Sequence, residues 1–160
     1  MSASEGIREA IGAALATLNI AAMQFRELGE ADAREVREAI EGSFMNARNR
    51  TWWWENFRLP SSSTRFNDGM AFTRICTVVP NPDEQVWFVA EDSQLPEYPV
   101  LESTPRLIQR VSGECYGFEY YLVDKNFSWL LCETHHDDFI ALGDALRKRL
   151  EAVANREGEK

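Results

Sequence analysis

The chain has 160 residues, 44% of them hydrophobic, with five Trp, nine Phe and four Tyr, enough apolar side chains for one core and too few residues for two full domains. Residues 75–146 carry thirteen acids against Arg106, Arg110 and Lys125, a net −10 that accounts for the overall −9. Such a surface repels phosphate backbones, which excludes nucleic acid as its partner, and draws in basic proteins.

No run of about 18 apolar residues is present, so no segment is expected to cross a membrane. Met1-Ser2-Ala3-Ser4-Glu5 lacks the basic and apolar regions of a signal peptide, and the expected location is cytoplasmic.

In chain order, Ser4 is expected to cap a helix whose apolar stripe is Ile7, Ile11, Ala14, Leu15 and Leu18. A break at Asn19-Ile20 and a second short helical stretch to Leu28 follow, with Gly29 expected to close it. Residues 31–44 read as another helix, with Val36, Ala39, Ile40 and Phe44 on its dry side. Trp52, Trp53, Trp54 and Phe57 suit a strand. Leu59-Pro60-Ser61-Ser62-Ser63-Thr64 is a loop.

Residues 72–79 are rich in strand formers, Pro80-Asn81-Pro82-Asp83 turns the chain, and residues 86–90 are the expected antiparallel partner. Thr104-Pro105 opens a short helix with Leu107, Ile108 and Val111 on its apolar side, which Gly113 closes. A hairpin comes next: Phe118, Tyr120 and Leu122 share one face, and Phe127, Trp129 and Leu131 alternate with Ser128, Leu130 and Cys132. Asn126 suits the left-handed position of its loop. Phe139, Leu142, Leu146, Leu150 and Val153 trace a helical stripe, capped by Thr134 or Asp137. The expected fold is an α+β domain over residues 1–154, a mainly antiparallel sheet of about five strands with N-terminal and C-terminal helices packed on one side of it, and a disordered tail at 155–160.

Three cysteines, Cys76, Cys115 and Cys132, with no CxxC pair argue against a disulfide framework and a cysteine-only zinc site. His135 and His136 are adjacent, and their side chains would diverge on a helix or a strand. With Cys132 they are weak metal candidates that lack a further ligand. Cys132 as a nucleophile would have to be exposed, yet it stands in the apolar run Leu130-Leu131-Cys132. No nucleotide-binding, P-loop, serine-hydrolase or HExxH motif occurs, no cofactor is implied, and no carboxylate is expected in an apolar setting. As a strand, Trp52-Trp53-Trp54 would place indole on both faces, either covered on both as a central strand or with one tryptophan open to a partner, with Arg50 and Arg58 near enough to stack on such rings.

Tyr120-Tyr121-Leu122-Val123-Asp124, followed by Trp129-Leu130-Leu131-Cys132-Glu133-Thr134-His135 and preceded by Trp52-Trp53-Trp54-Glu55, resembles a small family of uncharacterised bacterial proteins. More distantly the arrangement is similar to SUKH-type immunity proteins, which neutralise toxins by binding them. That resemblance implies a non-catalytic protein-binding domain and transfers no functional residue. On this reading Asp83, Glu84, Glu91, Asp92 and Glu97 steer a basic partner, and one of Trp52, Trp53 and Trp54 anchors it. Two alternatives stand beside it: a small metal- or cysteine-dependent enzyme centred on Cys132, Glu133, His135 and His136, and a self-associating accessory domain.

Overall fold

The hairpin that the sequence displays most openly lies at the middle of a seven-stranded sheet. The computed structural model describes residues 6–46, 53–91, 98–115 and 117–158. In chain order the elements are α1 (Ile7–Leu18), β1 (Arg26–Glu27), α2 (Glu30–Phe44), β2 (Ser62–Thr64), α3 (Ile75–Val78), β3 (Val86–Ala90), β4 (Val100–Ser103), α4 (Pro105–Glu114), β5 (Tyr120–Asp124), β6 (Leu130–Glu133), β7 (Phe139–Leu142) and α5 (Asp144–Gly158). Single 3-10 turns occupy Ala22–Gln24, Trp53–Asn56 and Ala71–Arg74. The strands run in the order β1-β4-β3-β5-β6-β7-β2, and every neighbouring pair is antiparallel.

The fold is α+β, as expected, with seven strands in place of about five. The two edge strands β1 and β2 are two and three residues long, too short to show an alternating pattern in sequence. Helices cover both faces of the sheet, not one. Phe88, Leu122, Leu131, Phe139 and Ala141 pack with α1, α3, α4 and α5 on one side. Val89, Tyr121, Val123, Leu130, Cys132, Ile140 and Leu142 pack with α2 and Trp53 on the other. This explains why all residues of β5, β6 and β7 are buried: a strand roofed on both faces loses the polar-out alternation of a half-wet one.

Local expectations hold where a single periodicity is unambiguous. α1 buries Ile7, Ile11 and Ala14 and ends at Asn19, left-handed at φ 57, with Ile20 N–H bonded back to the Leu15 carbonyl at 2.9 Å. α4 starts at Thr104, whose side chain accepts from the Leu107 N–H, with Pro105 at the first helical position.

Elsewhere tertiary burial overrides local preference. Residues 72–79, read as a strand, form the 3-10 turn Ala71–Arg74 and α3, because Ala71, Ile75 and Val78 bury together at helical spacing against α4 and α5. β3 therefore pairs with β4 and β5. Trp53 and Trp54 lie in a 3-10 turn, not a strand. Gly29 does not end a helix; it is extended and precedes α2, while Arg26–Glu27 is strand β1.

The final helix was expected to include Phe139 and Leu142, whose i, i+3 spacing suits one. These residues instead form β7 and face opposite sides of the sheet. Gly143, at φ 94, makes the break: a Cβ there would lie 2.5 Å from the Ser128 carbonyl oxygen. α5 then runs on through Gly158, so residues 155–158 continue the helix where a tail was expected. In the β5–β6 hairpin the left-handed residue is Phe127 (φ 53), not Asn126. Oδ1 of Asp124 holds that loop by accepting the N–H groups of Ser128 at 2.7 Å and Trp129 at 3.0 Å.

Candidate functional site

Antiparallel register brings the C-terminal end of β6 beside the N-terminal end of β5, and the chemistry-bearing side chains gather there. Glu133 lies opposite Tyr120. The Tyr120 hydroxyl, on a ring 2% exposed, donates to Glu133 Oε1 at 2.7 Å. One residue before β5, Glu119 is fully buried and accepts from the Tyr121 hydroxyl at 2.9 Å through Oε2. Its Oε1 lies 3.1 Å from His135 Nδ1. Glu119 and Tyr121 belong to the α2 face, Tyr120 and Glu133 to the opposite one, and His135 sits where the two faces meet at the sheet end.

The turn from β6 to β7 positions the histidines. Thr134 Oγ1 accepts the N–H groups of His136 at 3.2 Å and Asp138 at 3.3 Å, and Asp137 is left-handed at φ 66. Thr134 therefore caps a hairpin turn, not the last helix. A turn bends the chain in a way neither a helix nor a strand does, so the two imidazoles do not diverge: their centroids are 4.1 Å apart. Both rings stand 5.8 Å from the half-buried indole of Trp54, nearly edge-on.

A cleft of about 290 Å³ opens on this end of the sheet. Glu133, Thr134, His135 and Asp137 contribute to its lining from the β6 end and the turn after it, together with Phe72, Ser112, Cys115 and Phe118. Burial, opposed by the Tyr120 hydrogen bond and reinforced by Asp137, raises the pKa of Glu133 above its ordinary value. No basic side chain pairs with Glu133 or Asp137 among the described residues. Several acids elsewhere are paired with bases. Asp83 is held by Arg106 through two bonds of 2.8 and 3.1 Å, Glu102 by Arg26 and Lys125, and Asp138 by Arg65.

The sequence candidates are dispersed. Trp53 is buried against Tyr98 and Tyr121 in the core, which leaves Trp54 as the described member of the trio with partial exposure. Trp52, Asp92, Glu97, Ser4 and Arg50 lie outside the described residues. Asp83 and Glu84 precede β3 whereas Glu91 follows it, so roughly 16 Å of strand separates them and they do not form one patch. Glu91 belongs to the cleft end, its N–H donating to the Glu119 carbonyl at 2.9 Å.

Cys132 is fully buried on the α2 face, and burial pushes its thiol well above the ordinary range. No group of three or more His, Cys, Asp or Glu side chains is placed to hold a metal ion among the described residues. Buried carboxylates are present, contrary to expectation, and two of them, Glu119 and Glu133, stand at this end of the sheet. The signal available for Glu119 was its place in the hairpin alternation, on the face of Tyr121 and Val123; that this face is roofed by α2 was not legible.

Residues 3–154 match the family model of DUF6756, described as a family of unknown function, and the chain belongs to that family. No curated protein matches the chain. No solved structure matches it either.

Proposed function

We propose, for this member of a family of unknown function, a non-catalytic role as a protein-binding domain whose contact surface is the acidic end of the sheet around Glu133, His135 and Asp137. The observation that carries the reading is the cleft itself: it is concave, it presents two carboxylates, and no basic side chain among the described residues neutralises either. Trp54, half-buried beside His135 and His136, supplies the aromatic contact that interfaces favour. The reading extends to an immunity-type protein acting in the cytoplasm on a basic toxin, for which the negative field of residues 75–146 is the support.

Against the cysteine version of the enzyme alternative stands the full burial of Cys132, which raises its thiol pKa and keeps it from a substrate. The test is recovery of partners from the host lysate at low and moderate salt, run in parallel with wild-type protein and a Glu133→Gln/Asp137→Asn variant. A basic protein that is retained by the wild type, lost as salt rises and not retained by the variant supports the proposal. Retention indifferent to both salt and the substitutions overturns it.

A further inference from the structure

The lining of the cleft says what chemical group it takes. At about 290 Å³ it stands at the bottom of the range of small-molecule sites and has room for one long side chain. Glu133 commits Oε1 to Tyr120, which leaves Oε2 outside that bond. Asp137 adds an exposed carboxylate at the rim. Ser112, also in the lining, is 6% exposed, and its Oγ has no hydrogen-bond partner among the described residues. A buried hydroxyl left without a partner costs free energy that a ligand N–H could recover. Phe72 and Phe118, both half-buried, give the cleft aromatic sides.

From these observations we infer that the cleft is a guanidinium subsite that receives one arginine side chain of the partner protein, Glu133 and Asp137 taking its N–H groups and Phe72 and Phe118 flanking its plane. That the arginine comes from a protein rests on the function proposed above; the guanidinium chemistry rests on the cleft alone. A guanidinium fits better than an ammonium because it is planar, stacks on aromatic rings and fans five donors toward separate acceptors. A lysine presents a compact, strongly hydrated charge that the aromatic walls serve less well.

The experiment is a titration of the full chain, followed by amide chemical shifts, with N-acetyl-arginine N-methylamide, the matching lysine compound and the neutral citrulline compound. The expected result is saturable shifts confined to residues 112–120 and 133–138, with arginine binding tighter than lysine and citrulline weaker than arginine by about tenfold or more, as loss of a charge-assisted hydrogen bond implies. Glu133→Gln, which keeps the Tyr120 acceptor, and Asp137→Asn, on an exposed turn, should each weaken arginine binding severalfold, and Ser112→Ala less. Equal affinity for citrulline and arginine, shifts located elsewhere, or variants that bind as the wild type does would overturn the subsite. The two proposals can fail separately. A lysate partner captured through Glu133 and Asp137 with no response to the arginine compound removes the guanidinium assignment and keeps protein binding. A response in the cleft without any captured partner does the reverse.

Discussion

His135 Nδ1 lies 3.1 Å from Oε1 of Glu119, so an exposed imidazole is tethered to a carboxylate that has no exposed surface. The other oxygen of Glu119 accepts from Tyr121, whose side chain is also fully buried. Glu119 is thus the link between the sheet interior and the cleft rim, and the two bonds differ in what their loss would cost.

Removing Glu119 takes the carboxylate acceptor from the Tyr121 hydroxyl in the core, whereas removing the 42% exposed His135 side chain opens the rim so that water can take its place on Oε1 of Glu119. Glu119→Ala should cost about 1–3 kcal/mol, the penalty for leaving a buried polar group unpaired, and His135→Ala should stay within about 0.5 kcal/mol of wild type. Urea midpoints at unchanged slope measure both. Equal effects from the two variants would falsify the assignment of Glu119 as an internal anchor.

Glu133 carries a pH signature of opposite sign to most carboxylates. Its folded-state pKa is raised above the ordinary 4.5, chiefly by burial, so the folded chain holds its proton more tightly than the unfolded chain does. The associated stability is complete below the unfolded pKa and is lost as pH rises through the folded one. Glu133→Gln is neutral at every pH and should therefore gain stability relative to wild type as the pH rises above about 4.5, up to the folded-state pKa of Glu133. Melting temperatures across that window test it; a variant that loses ground as pH rises contradicts the burial argument.

The thiols should be sluggish nucleophiles. Burial pushes Cys115, on the cleft wall, up to about 11, and Cys76 and Cys132 are raised as well. Iodoacetamide at neutral pH should leave native Cys132 unmodified and label Cys115 slowly, with a rate that climbs as the pH approaches that of its thiol. Rapid labelling of any one cysteine at neutral pH would revive the cysteine-dependent alternative.

Gly143 separates β7 from α5 at φ 94, with the Ser128 carbonyl 2.5 Å from where a Cβ would stand. Gly143→Ala meets both backbone strain and a clash with backbone that cannot swing aside. A loss of about 2 kcal/mol or more is expected, against well under 1 kcal/mol for Gly42→Ala in α2, where an added Cβ meets no other element among the described residues within 4 Å. Thermal unfolding of the two variants side by side gives the comparison.

The elements that could be read locally carry a strong local signal, a helical period in three of them and composition around a turn in the hairpin. α1, α2 and α4 repeat every three to four positions, and β5 and β6 are dense in aromatic and branched side chains around a loop organised by Asp124. The misread elements are short or ambiguous. Ile75 and Val78 suit a strand by composition and a helix by spacing, and burial against α4 and α5 decided for the helix. Phe139 and Leu142 suit a helix by spacing, and pairing with β6 made them a strand.

The candidate site shows the same division. Residues 132–138 drew attention from sequence because they hold both histidines, but nothing local marked Tyr120 and Ser112 as lining the cleft or Glu119 as the partner of His135. Composition and period determined by themselves that this is an acidic α+β domain built on an antiparallel hairpin. Which carboxylates are buried and which acids stand uncompensated was decided only in three dimensions. Strand register sets Glu133 against Tyr120, and the roofing of both sheet faces seals Glu119. Register and roofing follow from burying apolar surface contributed by segments as far apart in the chain as α2 and β6, a quantity that no local pattern records.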